Sequence, residues 1–181
     1  MTKKHLDVKP AKGTDPQLGM LTAMLEDGTR EWREELGEVP DAAVVWQAFP
    51  NGHSIGAILL HIADVEVFWI ETVAAGKPRD PEELKLFLSD ETLQDDVQWP
   101  KPPARPLAYY LELHDGVRQR TLKTLKEFNN PEQISTRQRR DGTWWEFTLR
   151  WILHHVITHE AYHGGQAVLL SLEYARQNQR A

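Results

Sequence analysis

The chain has 181 residues, of which 40% are hydrophobic and 27% charged, with eight histidines and no cysteine. That is enough for one compact domain with a real core, and it excludes global disorder. Without cysteine there are no disulfides, Cys-type zinc sites, iron–sulfur clusters or catalytic thiol, and a formal charge of -6 argues against holding nucleic acid by bulk electrostatics.

The first 14 residues read as a flexible arm. They contain no apolar run of the kind a targeting leader carries. No stretch approaches ~18 uncharged apolar residues, so no membrane span is expected and the expected home is the cytoplasm. Asp15 and Pro16 then mark a helix start, because Asp caps a helix and Pro is tolerated in its first turn. Leu18, Leu21, Leu25, Trp32 and Leu36 follow at helical spacing, and Gly37 and Pro40 stop the run.

Trp46 to Gly52 reads as a connector. Ser54 is the expected N-cap of a second helix, with Ile55, Ile58, Leu59, Ile62, Val65 and Trp69 as its apolar stripe. Gly76 and Pro78 end it. Six prolines lie between Pro78 and Pro106, so this connection is a crossover rather than a tight antiparallel turn, with a short helix from about Pro81 to Leu88. A third helix is predicted from Pro106 to Phe128. Asp141-Gly142 is a hairpin-type turn signal within a short extended excursion. A fourth helix runs from near Thr148 to Ala175. Four long helices with one long connection make an all-α bundle, a single domain over residues 15–176 with a tail at 177–181.

The histidines carry the chemistry. His159 and His163 are four residues apart on the fourth helix and share one face with Ile152, Val156 and Ala167. His61 sits between Ile58 and Val65 in the stripe of the second helix. Buried imidazoles without partners are costly. Three of them on two helices of one small bundle favour a facial metal site with open positions over three separately satisfied core histidines. His155 lies one turn before His159, as an outer residue or a spare ligand. Gln166, three residues past His163, can hydrogen-bond a ligand histidine. Glu66 is expected in solvent, with orientation of His61 as the alternative.

The run His159-Glu160-Ala161-Tyr162-His163 also fits the H-E-x-x-H protease pattern, with Glu160 as general base. A metzincin-type third ligand is missing, because Gln166 and Leu169 stand where Gly and His are needed. Gly164 and Gly165 sit mid-helix at a cost in helix propensity, which a close helix approach explains. Trp69 and other tryptophans are candidates to wall a substrate pocket. Arg137, Arg139, Arg140 and Arg150 form the densest basic patch, a candidate anchor for carboxylates.

Two segments, SIGAILLHIADVEVFWI (54–70) and LRWILHHVITHEAYHGGQAVLL (149–170), resemble the DinB/YfiT-like family over roughly residues 15–176. The resemblance implies an up-down-down-up four-helix bundle whose long crossover joins helices 2 and 3. It implies a divalent metal, zinc or nickel, on His61, His159 and His163, and a homodimer. Relatives include transferases that use low-molecular-weight thiols such as mycothiol or bacillithiol. The reaction it implies is thiol transfer to a small electrophile, with a metal-dependent hydrolase or a non-catalytic binding bundle as alternatives. Gly164 stands where the family commonly has Arg.

Overall fold

The computed structural model describes residues 5–87, 99, 101–139 and 141–179. Among the described residues the fold is mostly helical, with 62% of them in helices, and carries one small two-stranded sheet. The sheet adds a strand pair to the mostly helical fold, at the excursion expected around Asp141-Gly142.

Helix α1 (Pro16–Leu36) starts where the sequence predicts, with the Asp15 carboxylate accepting from the amides of Gln17 and Leu18. One helical turn, α2 (Asp41–Val44), interrupts the connector. Ser54 caps α3 (Ile55–Glu66) by accepting from Ala57 N. The same rod then continues as a π-helix over Val67–Ala74, where the apolar spacing predicts ordinary α-helix. The wider i→i+5 winding shows in the bond from Ala75 N to Ile70 O, at 3.1 Å. A short α4 (Pro81–Leu86) precedes α5 (Leu107–Leu125). Strands β1 (Ile134–Gln138) and β2 (Trp144–Thr148) pair antiparallel around Asp141-Gly142. Thr148 then caps α6 (Leu149–Asn178), the longest element.

Helix α1 packs along α6, and α3 packs against both α5 and α6. Two apolar clusters fill the interior. One gathers Trp32, Leu36, Ile58, Ile62, Tyr110 and Val117. The other gathers Leu18, Leu25, Ile70, Leu125, Ile152 and Val156. Between them each long rod contributes a buried polar side chain: Thr29 from α1, Glu66 from α3, Arg118 from α5 and Glu160 from α6. The core is therefore two hydrophobic halves separated by a polar layer.

Candidate metal centre

The face of α3 that carries Ile58 and Ile62 also carries His61, and α6 turns His159 and His163 toward it. All three rings are buried. The ring centroids of His61 and His159 are 4.9 Å apart, those of His61 and His163 4.9 Å, and those of His159 and His163 4.4 Å. His61 Nε2 and His159 Nε2 approach to 3.1 Å, and one nitrogen from each of the three rings lies within 4.8 Å of the other two. Nitrogens that share one ion at ~2.0–2.1 Å stand roughly 3 Å apart, so the set fits a transition-metal ion on three imidazoles.

The electrostatics agree. Burial lowers the His159 pKa to about 2, assisted by the neighbouring imidazoles, so the ring is neutral at pH 7. Burial also lowers that of His163, to about 4, although Gln166 works the other way. Gln166 Oε1 lies 2.7 Å from His163 Nδ1. That amide oxygen accepts the Nδ1 proton, which leaves the Nε2 lone pair facing the cluster. Gln166 therefore holds the place beside His163 that the helical spacing suggests.

Trp99, unassigned to the site from the sequence, lies over this cluster. Its buried ring is 5.5 Å from His61 and 6.4 Å from His163, and it packs at 4.0 Å on His53. The half-exposed Tyr162 ring borders His163 at 4.2 Å.

His155 stands apart from the three grouped nitrogens. It stacks on Trp151 at 5.1 Å and meets Trp69 at 4.9 Å, with His159 at 5.9 Å. Trp69 touches His155, Trp151 and Phe147. The arginines of the expected basic patch have separate partners. Arg137 covers Phe68 and Arg139 covers Trp145, whereas Arg150 pairs with Glu132 and borders a groove with Pro10 and Met20. Arg140 lies outside the described residues.

Glu160 departs most from the sequence reading. Its Oε2 accepts from Arg118 Nη2 at 2.6 Å, and its Oε1 accepts from Thr29 Oγ1 at 2.6 Å and Trp32 Nε1 at 2.9 Å. Both oxygens are committed in the core, so the residue a hydrolase would use as base is tied down. Arg118 also makes a two-pronged bond to Glu66, at 2.9 and 2.8 Å. Burial alone would raise the Glu66 carboxyl, but the Arg118 charge outweighs it and holds the group well below the usual carboxylate range. Glu66 is thus a core residue, not a solvated one.

His114 completes this layer. Arg33 Nη2 donates to its Nδ1 at 2.6 Å, which leaves the proton on Nε2, 3.6 Å from both Glu66 Oε2 and Glu160 Oε1. Glu66, His114 and Glu160 also bring donor atoms within 4.8 Å of one another. The cation among them is already the Arg118 guanidinium, so this group fits a metal poorly. The signal for the layer is in the sequence: Glu66 interrupts the row Ile58, Ile62, Ile70, and a charge there needs a buried counter-charge.

Among known proteins, a family model described as Mycothiol-S-transferase matches residues 20–171. No curated protein matches the chain.

Proposed function

Because the chain belongs to the mycothiol-S-transferase family, a DinB/YfiT-like group, we propose that it transfers a low-molecular-weight thiol to a small electrophile, with a divalent metal held by His61, His159 and His163. The observation that carries the reading is the 3.1 Å approach of His61 Nε2 and His159 Nε2 inside a buried cluster of three imidazoles. Three nitrogen ligands leave open positions for exogenous groups, as a catalytic site requires and a closed structural one does not. Zinc and nickel suit such a ligand set.

A free thiol with a pKa near 8.5 is only a few per cent ionised at pH 7. A divalent ion, when bound, supplies the missing acidity by favouring the thiolate. The protein's part is to hold and orient. Gln166 fixes the tautomer of His163. Trp99 and Tyr162 flank the cluster and limit the water that reaches it. With no cysteine in the chain, the sulfur comes from the cosubstrate, mycothiol or a similar thiol.

We extend the reading to a single domain over residues 15–176. Its four long rods form an up-down-down-up bundle. The cytoplasm, where such thiols are kept reduced, is its setting. The exposed Tyr162, Leu169 and Leu172 on α6 offer an apolar stripe for a second copy in a homodimer.

The test is metal analysis of protein purified without a His-tag, paired with a conjugation assay using mycothiol. About one equivalent of metal is expected, lost in His159→Ala, with conjugation lost alongside it. A metal content near zero that His159→Ala leaves unchanged would defeat the reading.

A further inference from the structure

From the ring geometry beside the histidine cluster we infer that the second substrate is a flat aromatic electrophile bearing an acidic group, seated on a shelf built by the β1–β2 hairpin, Trp69 and the start of α6. This rests on the transferase reading above.

The register of the hairpin sets the shelf. Arg137 lies opposite Trp145, and Ser135 opposite Phe147, so Arg137, Trp145 and Phe147 share one face. That face turns toward the helices. Phe147 meets Trp69 and Trp151, each at 5.0 Å, and Trp145 follows at 6.2 Å. Trp151 stacks on His155 with only 5° between the planes, and His155 is 5.9 Å from His159. A continuous row of rings therefore runs from the hairpin to a proposed metal ligand. Its outer members face water: Trp145 is 46% exposed and Trp151 39%. Large apolar rings left open beside a chemical site are what a flat ligand covers.

The charges give the ligand its other half. Arg139 sits over Trp145 at 4.2 Å and Arg137 over Phe68 at 4.6 Å. Elsewhere on the surface, Arg30, Arg120, Arg150 and Arg176 each hold a carboxylate. Among the described residues, Arg137 and Arg139, like Arg105 over Tyr109, lie over rings with no carboxylate within salt-bridge distance, and Asp141 acts on Arg139 only at longer range. A guanidinium stacked on a ring keeps its N–H edge pointing outward, the geometry that takes a carboxylate in two parallel bonds. A ring laid beside Trp145 meets Arg139 with its acid, and the row of Phe147, Trp151 and His155 leads from there toward His159.

The reaction on such a ligand balances simply. With a chlorodinitrobenzoate as probe, the sulfur–carbon bond forms at the chlorine-bearing carbon. Chloride leaves with the bonding electron pair, and the thiol proton passes to buffer.

The test compares three electrophiles with mycothiol on the metal-loaded protein: a chlorodinitrobenzoate, the matching chlorodinitrobenzene without its acid, and iodoacetate, which has the acid and no ring. After correction for the uncatalysed rates, kcat/KM is expected to be about tenfold higher for the benzoate than for either partial probe. Arg139→Gln is expected to remove the advantage of the acid, and Trp145→Ala that of the ring, while iodoacetate turnover holds in Trp145→Ala. A non-reactive dinitrobenzoate is expected to quench tryptophan fluorescence, and more weakly in Arg139→Gln. Equal acceleration of all three probes with conjugation intact overturns this inference and leaves the transferase reading standing. No metal-dependent conjugation with any probe overturns the transferase reading. In that case, quenching that Arg139→Gln does not weaken overturns the shelf as well. A patch covered by a second copy of the chain, seen as a dimer that Trp145→Ala dissociates, also overturns it.

Discussion

Arg118 Nη2 lies 2.6 Å from Glu160 Oε2 with both side chains buried, and the same nitrogen lies 2.8 Å from Glu66 Oε2. One guanidinium from α5 therefore joins the carboxylates of α3 and α6 at the level where the two apolar clusters part. His159 precedes Glu160 by a single residue and turns to His61 and His163, so the layer that fixes the position of α6 also fixes that of its histidines.

Removing the cation leaves two carboxylates facing each other in the core. Arg118→Met is expected to cost about 3–5 kcal/mol of folding free energy, the range for breaking a buried ion pair from one side. Urea denaturation measures it. Replacing Arg118, Glu66 and Glu160 together by apolar residues of similar volume should recover most of the loss, because no charge is then stranded. A single-mutant effect within ~0.5 kcal/mol of wild type would mean that the layer is open to water.

The same groups set the pH response of the metal-free protein. His159 and His163 have folded pKa values of about 2 and about 4, below the ordinary 6.5. The unfolded chain therefore binds protons that the folded one refuses, and stability falls as pH drops from about 6.5 toward 4. Glu66, also depressed, adds a loss that begins near its ordinary value of 4.5 and continues downward. Above pH 7 these groups contribute no slope. Denaturation midpoints measured from pH 8 to pH 4 should be level first and then decline. His163→Gln should flatten the upper part of the decline.

Metal affinity should depend on Gln166. Its bond to His163 Nδ1 holds the Nε2 lone pair toward the other two imidazoles. Gln166→Leu leaves all three ligands in place and is expected to weaken metal binding about 10–100-fold, the usual cost of losing such a partner. Competition against a chromophoric chelator reads this. Gln166→Glu, which keeps an acceptor at that point, should retain most of the affinity.

Much of this was legible in the chain. Asp15 and Ser54 cap the helices they were read to cap, the fourth helix starts at the expected place beside Thr148, and Asp141-Gly142 makes the expected hairpin turn. The meeting of His61, His159 and His163 follows from two periodic faces that can only point inward. The rest depended on what faces what across the core. The carboxylate partners of Arg118 stand 42 and 52 residues away along the chain, and helical spacing says which side a residue occupies but not whom it meets there. The π-helical stretch after Glu66 escaped for a related reason. Its apolar residues satisfy an α-helical stripe equally well, and only packing against α5 and α6 separates the two windings.

Two glycines test how tightly the helices close. A Cβ built on Gly164 would stand 2.6 Å from Trp32 Cγ and 2.9 Å from Trp32 Cβ, so α1 approaches α6 at a point where no side chain fits. Trp32 is held there by its bond to Glu160 and cannot swing aside without leaving that oxygen short of a donor. Gly164→Ala is therefore expected to destabilise by about 1–3 kcal/mol, as overpacking does, despite the better helix propensity of alanine. Gly116, in the middle of α5, is exposed with nothing within 4 Å of its built Cβ. There the same substitution should stabilise by up to ~1 kcal/mol. Thermal melts of the two variants side by side, on metal-free protein, give the comparison. Equal shifts of one sign would mean that Trp32 relaxes freely, and the close approach of α1 to α6 would then not be what requires Gly164.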